Sequence, residues 1–118
     1  MYTVYYFNIY GRAEPIRMLL NHAKIEFEDK RLDFADWPTL KGNFEFGQVP
    51  ALDIKDADGK VHQYTQTLSI LRYLSIKLGY YPTDPEKAYD SDSALDSVND
   101  IINGLVKIRW EQDLARKE

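Results

Sequence analysis

The 118-residue chain contains no cysteine, which removes disulfides, thiolate metal sites and any Cys-x-x-Cys redox centre. Histidine is scarce: His22 and His62 are too few and too ill-placed for a metal site, so both read as structural residues. Basic residues are outnumbered, 15 Lys and Arg against 19 Asp and Glu, and the formal net charge of −4 leaves no basic stripe for nucleic acid. No apolar run approaches a membrane span, and Met1-Tyr2-Thr3-Val4 lacks the charged start of a signal peptide. The expectation is a cytoplasmic chain with neither nucleic-acid nor membrane partners. Internal repeats and low-complexity tracts are also missing. What remains is an ordinary globular composition, 44% hydrophobic and 29% charged, over a length that suits one domain with a helical extension.

At the N-terminus, Thr3, Val4, Tyr5, Tyr6 and Phe7 are β-branched or aromatic, which suits a buried strand. The chain then passes through Asn8, Ile9 and Tyr10 to Gly11 and Arg12, and its period changes. Ile16, Leu19, Leu20 and Ala23 fall at i, i+3, i+4 and i+7, one face of a helix, with Pro15 in the first turn where its missing N–H does no harm. A tyrosine at a strand end before a glycine turn puts a phenol hydroxyl at the mouth of a site. Any sulfur handled there has to arrive with a ligand, and the phenol is the natural group to meet it.

Residues 25–32 mix apolar and charged positions and read as a second strand near an edge. Asp36, Trp37 and Pro38 open a short helical turn, with Asp36 as N-cap. Residues 49–54 predict a strand that begins at a proline, Asp56 to Gly59 a turn, and 60–64 the hairpin partner. A helix follows at about Gln66, with Leu68, Leu71, Leu74 and Leu78 near one face and Gly79 as its C′ residue. This order predicts an α/β fold, a mixed sheet with helices on its faces. Residues 81–85 read as a linker. Residues 86–117 have no internal proline and predict one long helix, on which Leu95, Val98, Ile102 and Leu105 form a stripe widened by Ile101, Ile108, Trp110 and Leu114. One helix cannot bury such a face, so a partner chain, a missing segment or the first domain must cover it.

Six stretches in register resemble one known family: Tyr6-Phe7-Asn8, Gly11-Arg12-Ala13-Glu14, Ala35-Asp36-Trp37-Pro38, Phe46-Gly47-Gln48-Val49-Pro50, Gln66-Thr67 and Ile70-Leu71-Arg72-Tyr73-Leu74. The family is the cytosolic glutathione transferases, and the likeness is closest to the sigma class, with features of the pi and mu classes. It covers essentially all of residues 1–80. The resemblance implies a thioredoxin-like glutathione-binding domain over 1–80, with a four-stranded mixed sheet and flanking helices, then the linker at 81–85. Residues 86–118 would be the first helix of an incomplete all-helical domain. Family members usually continue for several more helices, which wall the site of the electrophilic co-substrate. The chain is thus either a fragment of a longer protein or a shortened relative with a different job.

By match with the family, Tyr6 is the catalytic tyrosine that donates a hydrogen bond to the glutathione sulfur. A free thiol has a pKa of about 8.5, so little is thiolate near neutrality, and a fixed donor stabilises the anion. Tyr5 is the decoy, because adjacent strand residues point to opposite faces; the Tyr-Phe-Asn context selects Tyr6. Arg12 matches the arginine that orients the sulfur region, although alone it would read as a solvated charge at a helix entry. Gln66 and Thr67 match the Gln-Ser pair that receives the γ-glutamyl end at a helix N-terminus. Val49 and Pro50 match a cis peptide that turns the Val49 backbone toward the cysteinyl part of glutathione; a trans proline opening an edge strand is the alternative. Trp37 and Lys41, four apart on a helical face, match residues that hold the glycyl carboxylate, and Gln48 is a compatible neighbour at that end. In family dimers an aspartate of the neighbouring subunit often reaches the γ-glutamyl group. Gly104 stands at that position with Asp100 one turn earlier, so either Asp100 substitutes from another angle or the contact is absent.

The implied function is that of a cytoplasmic, homodimeric, detoxifying transferase without a metal. It would bind reduced glutathione, stabilise its thiolate and conjugate it to a small electrophile, or use it to isomerise one. The alternative is a non-catalytic subunit that keeps the fold, lacks the second-substrate site and docks to another chain through the exposed helix. The set Tyr6, Arg12, Trp37, Lys41, Gln66 and Thr67 favours the enzyme; the early end of the chain and Gly104 favour the alternative. A disulfide-exchanging relative is excluded by the lack of cysteine.

Overall fold

In the computed structural model residues 1–110 are described, Trp110 by its backbone alone. The strands β1 (Tyr2–Phe7), β2 (Phe27–Leu32), β3 (Ala51–Lys55) and β4 (Val61–Thr65) form one sheet in the order β2-β1-β3-β4. β1 runs parallel to β2 and antiparallel to β3, and β3 and β4 make the expected hairpin. The helices are α1 (Glu14–His22), α2 (Trp37–Leu40), α3 (Thr67–Lys77) and α4 (Pro85–Trp110). This is the thioredoxin-like mixed sheet that the sequence predicts, with β2 at an edge.

Register decides what each face meets. Val4 lies opposite Leu52, Tyr2 opposite Ile54, and Leu52 opposite Tyr64, so these side chains share one face with Tyr6. Helices α1 and α3 serve that face: Arg17 of α1 reaches Asp29 of β2, and Lys77 of α3 lies over the Tyr2 ring. Ile16, Leu20, Ile70, Leu74, Val4 and Leu52 are fully buried in the layer between, each contributing about 1.5–3 kcal/mol relative to an exposed side chain. On α3 the buried residues are Ile70, Leu71 and Leu74, whereas Leu68 and Leu78 are half-buried. Leu71 and Leu74 thus lie within the buried stripe, and Leu68 and Leu78 at its margin.

The opposite face carries Tyr5 and Phe7 against an aromatic layer contributed by the segment after β2. Phe7 stacks on Phe34 at 4.2 Å and meets the edge of Trp37 at 5.3 Å, while Tyr5 meets Phe44 at 5.4 Å. Asp36 precedes α2 but does not cap it. Its backbone is already helical (φ −88°, ψ −11°) and its side chain makes no cap bond, whereas a capping side chain needs an extended backbone. Asp33 does comparable work a few residues earlier, its Oδ1 accepting the Ala35 N–H at 3.2 Å. The end of α3 is a Schellman motif around Gly79 (φ +81°): Tyr80 N–H donates to Ser75 O at 2.8 Å and Gly79 N–H to Ile76 O at 3.4 Å.

The chain divides between Tyr80 and Tyr81 into two compact units. In the second, α4 starts at Pro85, one residue earlier than expected, and the Tyr81 hydroxyl donates to Asp92 at 2.9 Å. Val98, Ile101 and Leu105 are 50%, 64% and 60% exposed, while Leu95 and Ile102 are half-buried. The predicted stripe is thus open along much of its length. Expectations for Leu114, for the Trp110 side chain and for helix beyond residue 110 lie outside the described residues. No helix among the described residues is long and apolar enough to cross a membrane.

Candidate functional site

Sheet topology gathers the candidate residues at one end. Tyr5 pairs with Ala51 and Ala51 with Thr65, while β2 runs parallel to β1. The exits of β1, β2 and β4 and the entry to β3 therefore lie side by side. Tyr6 and Arg12 belong to the first exit, Trp37 and Lys41 follow the second, and Gln66 and Thr67 follow the third. Gln48, Val49 and Pro50 lead into β3. All nine residues belong to segments at this end of the sheet, although Trp37 and Gln66 are far apart in sequence.

Tyr6 is 7% exposed and its oxygen accepts the Arg12 backbone N–H at 3.2 Å. The phenol can sit there because residue 11 is glycine. A Cβ at Gly11 would stand 2.6 Å from the Tyr6 oxygen, and its backbone has φ +42°, a conformation that suits glycine. Gly11→Ala is expected to push the ring aside and cost about 1–3 kcal/mol, as overpacking does. Urea unfolding measures it, and a midpoint equal to that of the parent would show that the ring yields freely.

Arg17 braces this turn, and nothing in its sequence role announced it. It is 3% exposed and donates to Asp29 at 3.0 Å, Glu14 at 3.1 Å and the Ile9 carbonyl at 3.0 Å, with longer contacts to the Phe7 and Tyr10 carbonyls at 3.5 Å. Its guanidinium carbon lies 5.9 Å from the centre of the Tyr6 ring. The available signal is its place on α1, four residues after buried Ala13 and three before buried Leu20.

At the third exit Gln66 precedes α3 with φ +72° and ψ +117°. For a residue with a side chain this is a sparsely populated conformation, of the kind that costs about 1–3 kcal/mol and clusters at functional sites. The Gln66 side-chain amide donates to Gln48 Oε1 at 3.0 Å, joining the α3 entrance to the segment before β3. No side chain caps α3, so its first N–H groups and dipole end present a positive terminus next to Thr67. The Val49–Pro50 bond is cis, as the family resemblance implies. Among the described residues, no backbone hydrogen bond involves Val49.

Trp37 is half-buried against Phe7 and Phe44, the latter at 5.8 Å, and its indole N–H has no acceptor among the described residues. Lys41 is exposed, its stem passes close over Gly47, and its ammonium makes no ion pair among the described residues. Tyr5 points to the other face, where burial and the neighbouring Asp53 carboxylate push its phenol above the ordinary value. A phenol held in its neutral form against a carboxylate is poorly suited to receive a second anion.

Residues 2–75 match the family model described as Glutathione S-transferase, N-terminal domain. Glutathione S-transferase 2 of Manduca sexta is 43% identical over 114 residues, which cover 97% of this chain and 53% of that protein. Hematopoietic prostaglandin D synthase of Gallus gallus is 36% identical over 116 residues, covering 98% and 56% respectively. Among solved structures, the Fasciola hepatica sigma class GST superposes with a TM-score of 0.87 at 31% identity, over 98% of this chain and 55% of that one. The chain spans about half the length of the curated relatives it matches. Its matched domain, its mixed sheet and these relatives together make the chain a member of the glutathione S-transferase family.

Proposed function

We propose that this chain binds reduced glutathione at the end of its sheet and stabilises the thiolate through the Tyr6 hydroxyl. It would do so as part of a cytoplasmic transferase that conjugates the thiolate to a small electrophile, or uses it to isomerise one. The observation that carries this reading is the state of the Tyr6 oxygen. It accepts the Arg12 N–H at 3.2 Å, while its own proton has no acceptor among the described residues. An oxygen that already accepts a hydrogen bond is a stronger donor in turn. A fixed donor aimed at a sulfur favours the anion over the neutral thiol. Arg12, next along the turn, adds positive charge on the same side.

The remaining residues supply orientation. The α3 N-terminus with Gln66 and Thr67 receives the γ-glutamyl carboxylate, the backbone of Val49 before Pro50 pairs with the cysteinyl unit, and Trp37, Lys41 and Gln48 hold the glycyl carboxylate. Three anchors on one peptide fix its sulfur beside Tyr6, which is how a site exploits proximity. The open stripe on α4 is assigned to contact with further helices or with the second subunit of a homodimer.

Calorimetric titration with reduced glutathione and with cysteinylglycine tests the reading. The dipeptide lacks the γ-glutamyl carboxylate, and a charge-assisted bond is worth about 1.5–3 kcal/mol. The tripeptide is expected to bind at least about tenfold more tightly. Equal binding of the two, or no binding of either, would remove the assignment.

A further inference from the structure

The helical face of the sheet carries an aromatic pair that the thiol site leaves unused. Tyr64 on β4 and Tyr73 on α3 stack with ring centres 4.4 Å apart and planes 21° from parallel. The Tyr64 hydroxyl donates to the Tyr73 oxygen at 3.2 Å. The rings therefore converge toward their hydroxyl ends, and the carbons bearing the two hydroxyls are no farther apart than the 4.4 Å of the ring centres. Each ortho carbon is bonded directly to one of these two carbons. Both residues are half-buried, so a small oxidant can reach them.

Two features of the surroundings bear on the pair. Lys77, one turn along α3 from Tyr73, has its ammonium 5.6 Å from the Tyr73 ring and 5.7 Å from the Tyr2 ring. The hydrogen bond to Tyr73, and then burial, push the Tyr64 phenol above its ordinary pKa. A Tyr64 phenol that gives up an electron at neutral pH therefore gives up its proton as well. The chain has no cysteine to intercept a radical formed there.

We infer that Tyr64 and Tyr73 form an oxidative cross-linking site, at which peroxide-derived one-electron oxidants join the two rings carbon to carbon as dityrosine. Each phenol gives one electron to the oxidant and one proton to water. The two phenoxyl radicals pair at their ortho carbons to form one C–C bond, and the hydrogen on each ortho carbon moves to its own ring oxygen, restoring both phenols. The two electrons and two protons reduce one hydrogen peroxide to two waters, and the protein loses two hydrogens. The bond closes the loop 64–73, which contains Gln66 and Thr67, so oxidation would tie the strained entrance of α3 to β4. The site stands whether or not the thiol pocket works as proposed.

Photo-oxidation of the chain with a ruthenium(II) polypyridyl complex and persulfate, which generates ruthenium(III) as the one-electron oxidant, tests it. The expected product is a single chain lighter by two hydrogens, with dityrosine fluorescence. After trypsin, peptide 61–72 is expected to be joined to peptide 73–77. Neighbouring groups react at an effective concentration far above that of separate chains, so the yield should not depend on protein concentration. Tyr64→Phe and Tyr73→Phe should each lower it at least about tenfold, whereas Tyr2→Phe and Tyr89→Phe should leave it unchanged. Both informative variants keep an aromatic ring, and either alone decides the matter once circular dichroism shows it folded. Cross-links scattered over other tyrosines, coupling only between chains, or undiminished yield in Tyr64→Phe or Tyr73→Phe would overturn the assignment.

Discussion

Arg17→Met is expected to destabilise the N-terminal unit by about 3 kcal/mol, the low end of the range for removing one partner of a buried ion pair. Methionine roughly preserves the apolar volume, so the effect isolates the guanidinium. Five acceptors lose one donor each: the carboxylates of Asp29 and Glu14 and the carbonyls of Phe7, Ile9 and Tyr10. Arg31 still donates to Asp29, the Ile9 N–H to the Phe7 carbonyl and the Glu14 N–H to the Tyr10 carbonyl. The low end applies because the Asp29 and Glu14 side chains are 31% and 33% exposed and can turn to water. The carbonyls belong to the turn that delivers Tyr6 and Arg12, so the loss should be felt at the site as well as in the fold. Arg17→Lys should rescue little, since one ammonium cannot reproduce the planar fork. Urea unfolding provides the measurement. A loss below about 1 kcal/mol, the scale of an exposed pair, would show that Arg17 is merely a covered surface charge.

Tyr6→Phe is expected to raise the thiol pKa of bound glutathione by about one to two units. A hydrogen bond to a charged group is worth about 1.5–3 kcal/mol, and one unit is about 1.4 kcal/mol. The thiolate's ultraviolet absorbance, followed as pH rises, reports it. The sign follows from linkage. A site that depresses the thiol pKa binds glutathione more tightly above the bound pKa, and loses that advantage as pH falls through it. The variant should therefore lose affinity near neutrality, yet bind within about twofold of the parent once the thiol is protonated in both. Tyr5→Phe is the control, because its ring lies on the other face against Phe44. An equal effect from Tyr5→Phe would mean that the site is on the wrong side of the sheet.

Local periodicity made much of this fold legible. The run before Gly11, the apolar spacing of Ile16 and Leu20, the turn from Asp56 to Gly59 and the glycine after α3 each specify their own element. The candidate site was legible in a different way. The segments that carry Tyr6, Trp37 and Gln66 lie at one end of the sheet because β1 and β2 run parallel while β3 and β4 fold back, a pairing that no local pattern encodes. Only the resemblance of six stretches in register pointed to it. What escaped were residues whose environment reverses their usual reading. Arg17 looks like a surface charge and is buried because carboxylates and carbonyls surround it. Asp36 looks like a cap, but its own backbone is already helical and its side chain makes no cap bond. Phe34 and Phe44 belong to no apolar periodicity, yet they pack against Phe7 and Tyr5. Gln66 carries no turn signature, yet it adopts a left-handed backbone at the head of α3.

Proton release on binding is the most direct measurement of thiolate formation at Tyr6. Reduced glutathione can be titrated into the chain at pH 7 by calorimetry, in buffers that differ in ionisation enthalpy. Free thiol, with a pKa of about 8.5, is only a few per cent ionised there. If Tyr6 stabilises the anion, binding releases a substantial fraction of a proton, and the observed heat changes in proportion to the buffer's ionisation enthalpy. Tyr6→Phe should abolish most of that dependence, and S-methylglutathione, which has no thiol proton, should show none. Glutathione heats that are identical in every buffer would mean that the bound sulfur stays a thiol, and Tyr6 would have no part in activating it.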